Sequence, residues 1–199
     1  MTSIIKELKA HTPFTLFGTF TGVVLMALIV VSGISRNVSE TIFDILHPAH
    51  VLFSAWVTAG LYFIHKRNVF YAIVVGYFGS IGIGTLSDCL IPYAGELLLK
   101  LPHAHHHIGF IELWYAVNPL AIFGSILGIF FARTKEPHAL HVLLSTWASL
   151  FHITMAMEIG FNAVELVLIS VFLFLAVLLP CCVSDIVFPL LFVKPANNS

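Results

Sequence analysis

Charge is scarce in this chain. Asp, Glu, Lys and Arg together make up 10% of its 199 residues, where a soluble domain carries about 25%. Neither sign dominates: nine Lys and Arg stand against ten Asp and Glu. That leaves no basic stripe for a phosphate backbone and excludes nucleic acid as a partner. Cysteine is limited to Cys89, Cys181 and Cys182, too few for a disulfide framework. No glycine-rich phosphate-binding loop of the Walker type is present, so no nucleotide cofactor is expected.

What fills the chain instead is apolar. Hydrophobic residues make up 59% of it, including 18 Phe. That composition points to an all-α integral membrane protein, because lipid offers no partner for unpaired backbone groups. A span takes about 20 mostly apolar residues. Six stretches qualify: Pro13–Ser32, Val51–Ile64, Val69–Ile91, Ala116–Ala132, Ala139–Met157 and Val164–Val183. The second is short unless the flanking His residues belong to it. The first lacks a small-residue cleavage pattern and reads as a retained span. Lys6, Lys9, Lys66, Arg67, Arg133, Lys135 and Lys194 fall on one side of these spans, and only Arg36 and Lys100 on the other. By the positive-inside rule both termini are cytoplasmic, in a plasma or inner membrane. The whole of 1–199 forms one transmembrane domain.

The two halves repeat one another. Pro13, Phe17, Gly18 and Gly22 are echoed by Pro119, Phe123, Gly124 and Gly128. His47, His50, Ser54 and Trp56 are echoed by His138, His141, Ser145 and Trp147. Ser87, Asp88 and Pro92 are echoed by Ser184, Asp185 and Pro189. The unit is three spans, about 11–98 and 112–195. An odd unit places the second copy upside down, giving six transmembrane helices as a 3+3 inverted-topology repeat, a plan common among transporters. The glycine pairs form small-residue faces that pack the two halves, or two subunits of a homodimer, together. Pro180 should kink the sixth span.

Histidine is abundant: 11 residues, more than Lys and Arg combined. At helical spacing His47, His50, Ser54, Thr58 and His65 share one stripe, and His138, His141, Ser145, Ser149 and His152 share another. The stripe from His47 to His65 is about 27 Å long at roughly 1.5 Å per residue, nearly the thickness of the hydrocarbon. Asp88 and Asp185 each lie in an apolar stretch, where a carboxylate costs roughly 2.5–3.5 kcal/mol. The blander alternative is that Ser and Thr bond to their own helix and that each Asp caps a span end.

Two His and one Asp per copy make a ligand set for a divalent transition metal such as Zn, Mn or Fe. Asp88, His47 and His50 are expected near the outer face, and Asp185, His138 and His141 near the inner one. The outer loop carries His103, His105, His106 and His107, a tract suited to secondary metal capture. On this reading the chain is a small transporter or channel with the metal ion or protons as cargo. Ser54, Thr58, Ser145, Ser149 and His152 would line its path. A rival comes from a resemblance. The His/Ser/Asp inventory is similar to that of the seven-span hydrolases of the alkaline ceramidase type. That resemblance implies an intramembrane zinc-dependent hydrolase, although here the groups are divided between two copies and the span count differs. A haem-b subunit ligated by His50 and His141 is a third reading, disfavoured by the expected depths of the two residues.

Overall fold

The architecture was read from a computed structural model that describes residues 2–32, 35–131, 135–157, 163–182 and 188–192. It is all helical among the described residues, with no strand. In chain order the helices are α1 (Thr2–Val31), α2 (Arg36–Lys66), α3 (Val69–Thr85), a π-helical turn (Leu86–Leu90) and α4 (Ile91–Leu98). Then come α5 (Gly109–Glu112), α6 (Trp114–Phe130), α7 (Lys135–Ala156), α8 (Ala163–Cys182) and α9 (Phe188–Leu191). Among the described residues each of the six apolar stretches overlaps a helix, the third running from α3 through the π-helical turn. Three helices are long and apolar enough to cross a membrane: α2, the continuous rod Val69–Leu98, and Ala139–Ala156 of α7. Among the described residues the apolar parts of α1, α6 and α8 are shorter: Thr15–Leu25, Trp114–Phe130 and Val167–Leu178.

Large apolar side chains lie on the surface while several ionisable ones are buried, a pattern compatible with a membrane location. Phe17, Phe20, Phe70, Phe78, Trp114 and Phe130 are exposed, while His47, His50, Asp88, Glu96 and His141 have no exposed surface at all. Membrane proteins distribute ionisable groups this way, because such groups must face a bundle interior.

Helix α2 stands at the centre. It packs on α3, α6 and α7, and α1 packs on α7 and α8. At roughly 1.5 Å per residue its 31 residues span about 46 Å. The stretch expected at Val51–Ile64 is therefore only the second half of the helix. Pro48 does not end it, and the His residues lie mid-helix. Close backbone approach explains the paired glycines. A Cβ on Gly124 would overlap the Leu52 carbonyl and meet Ala55; one on Gly128 would overlap the Trp56 carbonyl and meet Gly60. Gly18 lies against Thr146, and Gly22 against Trp147 and Leu150. The glycine faces thus join elements of the two halves of one chain.

Candidate metal centre

The centre forms where α2, the π-helical turn and α7 meet. Its local cause is Pro92. The Ile91 amide skips to the Leu86 carbonyl, five residues back. The Ser87 carbonyl is then left without Ile91, and the next residue, Pro92, has no N–H to offer. Ser149 of α7 fills the gap: its hydroxyl lies 3.0 Å from the Ser87 carbonyl and 2.7 Å from that of Ser145. The widened turn carries Asp88 into the interior.

Asp88 is fully buried, and both its oxygens are occupied. His47 and His50 donate through Nδ1 to Oδ2 at 2.9 and 2.6 Å. Ser87 and Ser145 donate through Oγ to Oδ1 at 2.7 and 2.8 Å. The spacing of His47 and His50, three residues on one helix, puts both rings on the same face. With Nδ1–H tied to the carboxylate, each imidazole keeps its lone pair on Nε2, on the far side of the ring from Asp88. Both Nε2 atoms are buried and have no hydrogen-bond partner. His47, His50 and Asp88 offer ligand atoms within 4.8 Å of one another and could hold a metal ion. Gly84 backs the cluster, 3.6 Å from the His47 ring if it carried a Cβ, and Gly109 seats against the same ring.

The second half contributes to the same centre. The His141 ring makes an edge contact with that of His50, 5.4 Å between centroids. This corrects the expectation that the two lie at opposite faces. The error lay in the start of span two: with α2 beginning at Arg36, His50 is near its middle and level with the first turns of α7. The inner cluster as anticipated is therefore not separate at His141. Asp185 lies outside the described residues, and so does the side chain of His138.

A polar column extends from the centre in both directions. On one side Ser54 and Thr58 are buried with unpartnered hydroxyls, as is Thr85. On the other, His152 donates through Nδ1 to Glu96 at 2.7 Å, both side chains being buried. Glu96 was not anticipated. Its signal was a carboxylate in the otherwise apolar run Ala94–Leu99, and proximity to the loop disguised it. His65 is at the surface and bonds the Leu61 carbonyl.

No family model, no curated protein and no solved structure matches this chain. The chemistry is therefore argued from the geometry alone.

The loop histidines are distributed. His107 donates to Glu112 at 2.6 Å, and Glu112 also accepts from the Ile108 amide. Partial burial pushes the Glu112 carboxyl up, but these two hydrogen bonds outweigh it and hold the group below the usual glutamate range. His105 stacks on His106 and lies 4.8 Å from His107. The His103 amide ties the loop to the Ala156 carbonyl.

Proposed function

We propose that this chain is a small polytopic membrane transporter or channel that carries a divalent transition-metal ion. The observation that carries the reading is the buried His47–Asp88–His50 cluster, in which two imidazoles converge on one carboxylate with ligand atoms within 4.8 Å of one another. Imidazole donors favour Zn or Fe over Mg or Ca, and the carboxylate of Asp88 suits Mn. An ion bound here would find one carboxylate to offset its charge and a path of hydroxyls, Ser54 and Thr58, beyond it. The loop His103–His107 would gather ions on the non-cytoplasmic side. Both termini are placed in the cytoplasm on the Lys and Arg distribution, within a plasma or inner membrane.

The six-span 3+3 arrangement belongs to the same proposal. It is supported by matched contacts. In the register that aligns Trp56 with Trp147, Ala55 corresponds to Thr146. Gly124 lies on Ala55 and Gly18 on Thr146; Gly128 lies on Trp56 and Gly22 on Trp147. Likewise α3 packs on α6 as α8 packs on α1. Asp185 would then stand where Asp88 does in the other copy.

The test is metal content and vesicle uptake. Purified protein should carry about one Zn, Mn or Fe per central site, and binding should weaken as pH falls through the His range, roughly 6.5. Asp185→Asn should depress uptake as Asp88→Asn does; an inert Asp185 would end the symmetric assignment. For topology, a cysteine at position 104 should be labelled from outside and one at 134 should not. Wild-type protein free of metal and silent in uptake would end the transport reading.

A second reading is favoured by one observation. His50, His141, Asp88, Ser87 and Ser145 converge on one place, as a single zinc-dependent hydrolase site would require. An apolar groove of about 410 Å³ lined by Ile83, Leu86, Ile91, Phe172 and Leu175 flanks the π-helical turn. It would suit an acyl chain. Release of fatty acid from a lipid substrate, without metal uptake, would select this alternative. The haem reading is weakened by the touching rings of His50 and His141, which leave no slot for a porphyrin.

A further inference from the structure

Glu96, His152, His107 and Glu112 lie outside the central cluster, where the loop after α4 returns to α4 and α7. Two carboxylates pin the imidazoles there. Glu96 Oε1 accepts from His152 Nδ1 at 2.7 Å, and its Oε2 accepts from the His105 amide at 3.2 Å. Glu112 Oε2 accepts from His107 Nδ1 at 2.6 Å. The rings stand close together. The centroids of His107 and His152 are 6.0 Å apart, and those of His105 and His107 are 4.8 Å apart.

We propose that His152, His107 and His105 form a second metal site for a divalent ion of the zinc class, with Glu96 and Glu112 as its positioning residues. An imidazole that gives its Nδ1–H to a carboxylate keeps a lone pair on Nε2 and is a stronger base there, the arrangement that metal-binding histidines use. His152 and His107 both have it. His152 Nε2 is buried with no hydrogen-bond partner, a cost that an ion would remove. Three neutral imidazoles would leave the two charges of the ion unbalanced. Glu96 and Glu112 supply two negative charges, each one ring away. Imidazole donors select Zn or Fe over Mg or Ca.

The geometry also says what has to move. Among the described residues only the central trio has its ligand atoms within 4.8 Å of one another. At roughly 2.0–2.1 Å from a tetrahedral Zn, ligand nitrogens lie about 3.4 Å apart. His152 is fixed in α7, so His107 and His105 close on it. Both belong to the non-helical run between Leu98 and Gly109, where no helical ladder holds the backbone. Phe43 keeps the two sites apart. Its ring stacks flat on His47 at 5.4 Å and meets those of His152 and His107 at 5.4 and 6.3 Å. A phenyl ring offers no ligand atom, so the sites share no donor. The proposal deepens the ion-gathering role of the loop and rests on the transport reading only there.

Histidine footprinting of the chelator-stripped full chain in detergent tests it. Diethyl pyrocarbonate acylates an imidazole nitrogen with a free lone pair, and peptide mass mapping locates the adducts. At a fixed pH of about 7.5, above the usual imidazole range, Zn²⁺ alone should protect His105 and His107. His106, which stacks on His105 and meets Tyr93, should stay reactive, as should His65 at the far end of α2. Glu112→Gln keeps all three ligands and should shift the protection curve to about tenfold more Zn²⁺. His152→Gln should abolish the protection. Protection of His106 equal to that of His107, or none at His107, overturns the proposal. So does protection that survives in folded His152→Gln protein. The wild-type footprint decides without any variant. Vesicle uptake, with Asp88→Asn as its critical variant, scores the transport reading separately, so either can fail alone.

Discussion

Asp88 and Glu96 stand on one continuous rod and are equally buried, yet they are held very differently. Asp88 accepts four hydrogen bonds, from His47, His50, Ser87 and Ser145, contributed by α2, its own turn and α7. Glu96 accepts two, from His152 and from the His105 amide. The first is a fixed anion whose surroundings are built for its charged form. The second has a loop amide as one of its two partners and an imidazole with an idle nitrogen as the other. Satisfaction, rather than burial, separates a fully anchored carboxylate from a lightly held one.

The sharpest way to break the comparison is to neutralise each in turn. Asp88→Asn faces four donors with an amide that can accept at one atom only. We expect a loss of about 3 kcal/mol in stability, the usual cost of breaking a buried charged network. Metal affinity should fall about tenfold or more, or roughly 1.4 kcal/mol. Glu96→Gln keeps an acceptor for His152 and should cost about 1–2 kcal/mol, with metal content retained. Denaturant unfolding in detergent and elemental analysis measure both; equal costs would dissolve the distinction.

Next in size is the helix contact that holds the centre together. Gly128→Ala drives a methyl into the Trp56 carbonyl and should cost about 1–3 kcal/mol. Gly82→Ala meets nothing within 4 Å and should leave stability unchanged or slightly raised. Thermal unfolding of the two variants side by side settles it.

Ser149→Ala removes the hydroxyl that serves the Ser87 carbonyl, and should cost about 1 kcal/mol. A weaker metal affinity should accompany it, because the turn that carries Asp88 loosens. Binding isotherms would show this as a change in affinity with unchanged stoichiometry. The smallest effect is at the loop. Glu112 has a carboxyl pKa held below its usual range, so its bond with His107 stabilises the loop above that range. The contribution disappears as pH falls through the lowered value. Since the group is well exposed, Glu112→Gln should cost only a few tenths of a kcal/mol, read as faster amide exchange at Ile108.

Much of this was legible in the sequence. The apolar stretches fell on helices because hydrophobic length is a strong signal. His47, His50 and Asp88 were found by the cost of charge in apolar surroundings. Other parts were hidden for physical reasons. The second span was begun at Val51, yet α2 runs from Arg36, and that misplaced the depth of His50 relative to His141. The π-helical turn left no sign beyond Pro92, whose effect depends on Ser149, 62 residues after Ser87, supplying the missing donor. Glu96 escaped because its partner His152 had been placed on the path and never paired.

The π-helical turn at Leu86–Leu90 has a further consequence, best put in terms of phase. A wide turn adds a residue without completing a helical repeat, so the two parts of the rod need not share one face. Upstream, Gly76 and Gly79 can address Ser125 of α6 and Thr58 of α2. Downstream, Glu96 can address α7 and Gly95 the Phe172 ring of α8. Removing one residue from the turn would rotate everything after it by roughly 100°. Glu96 would swing away from His152 while the upstream packing stayed in place. The single extra residue works as a phase shifter, letting one rod serve two sets of neighbours and place a carboxylate toward each.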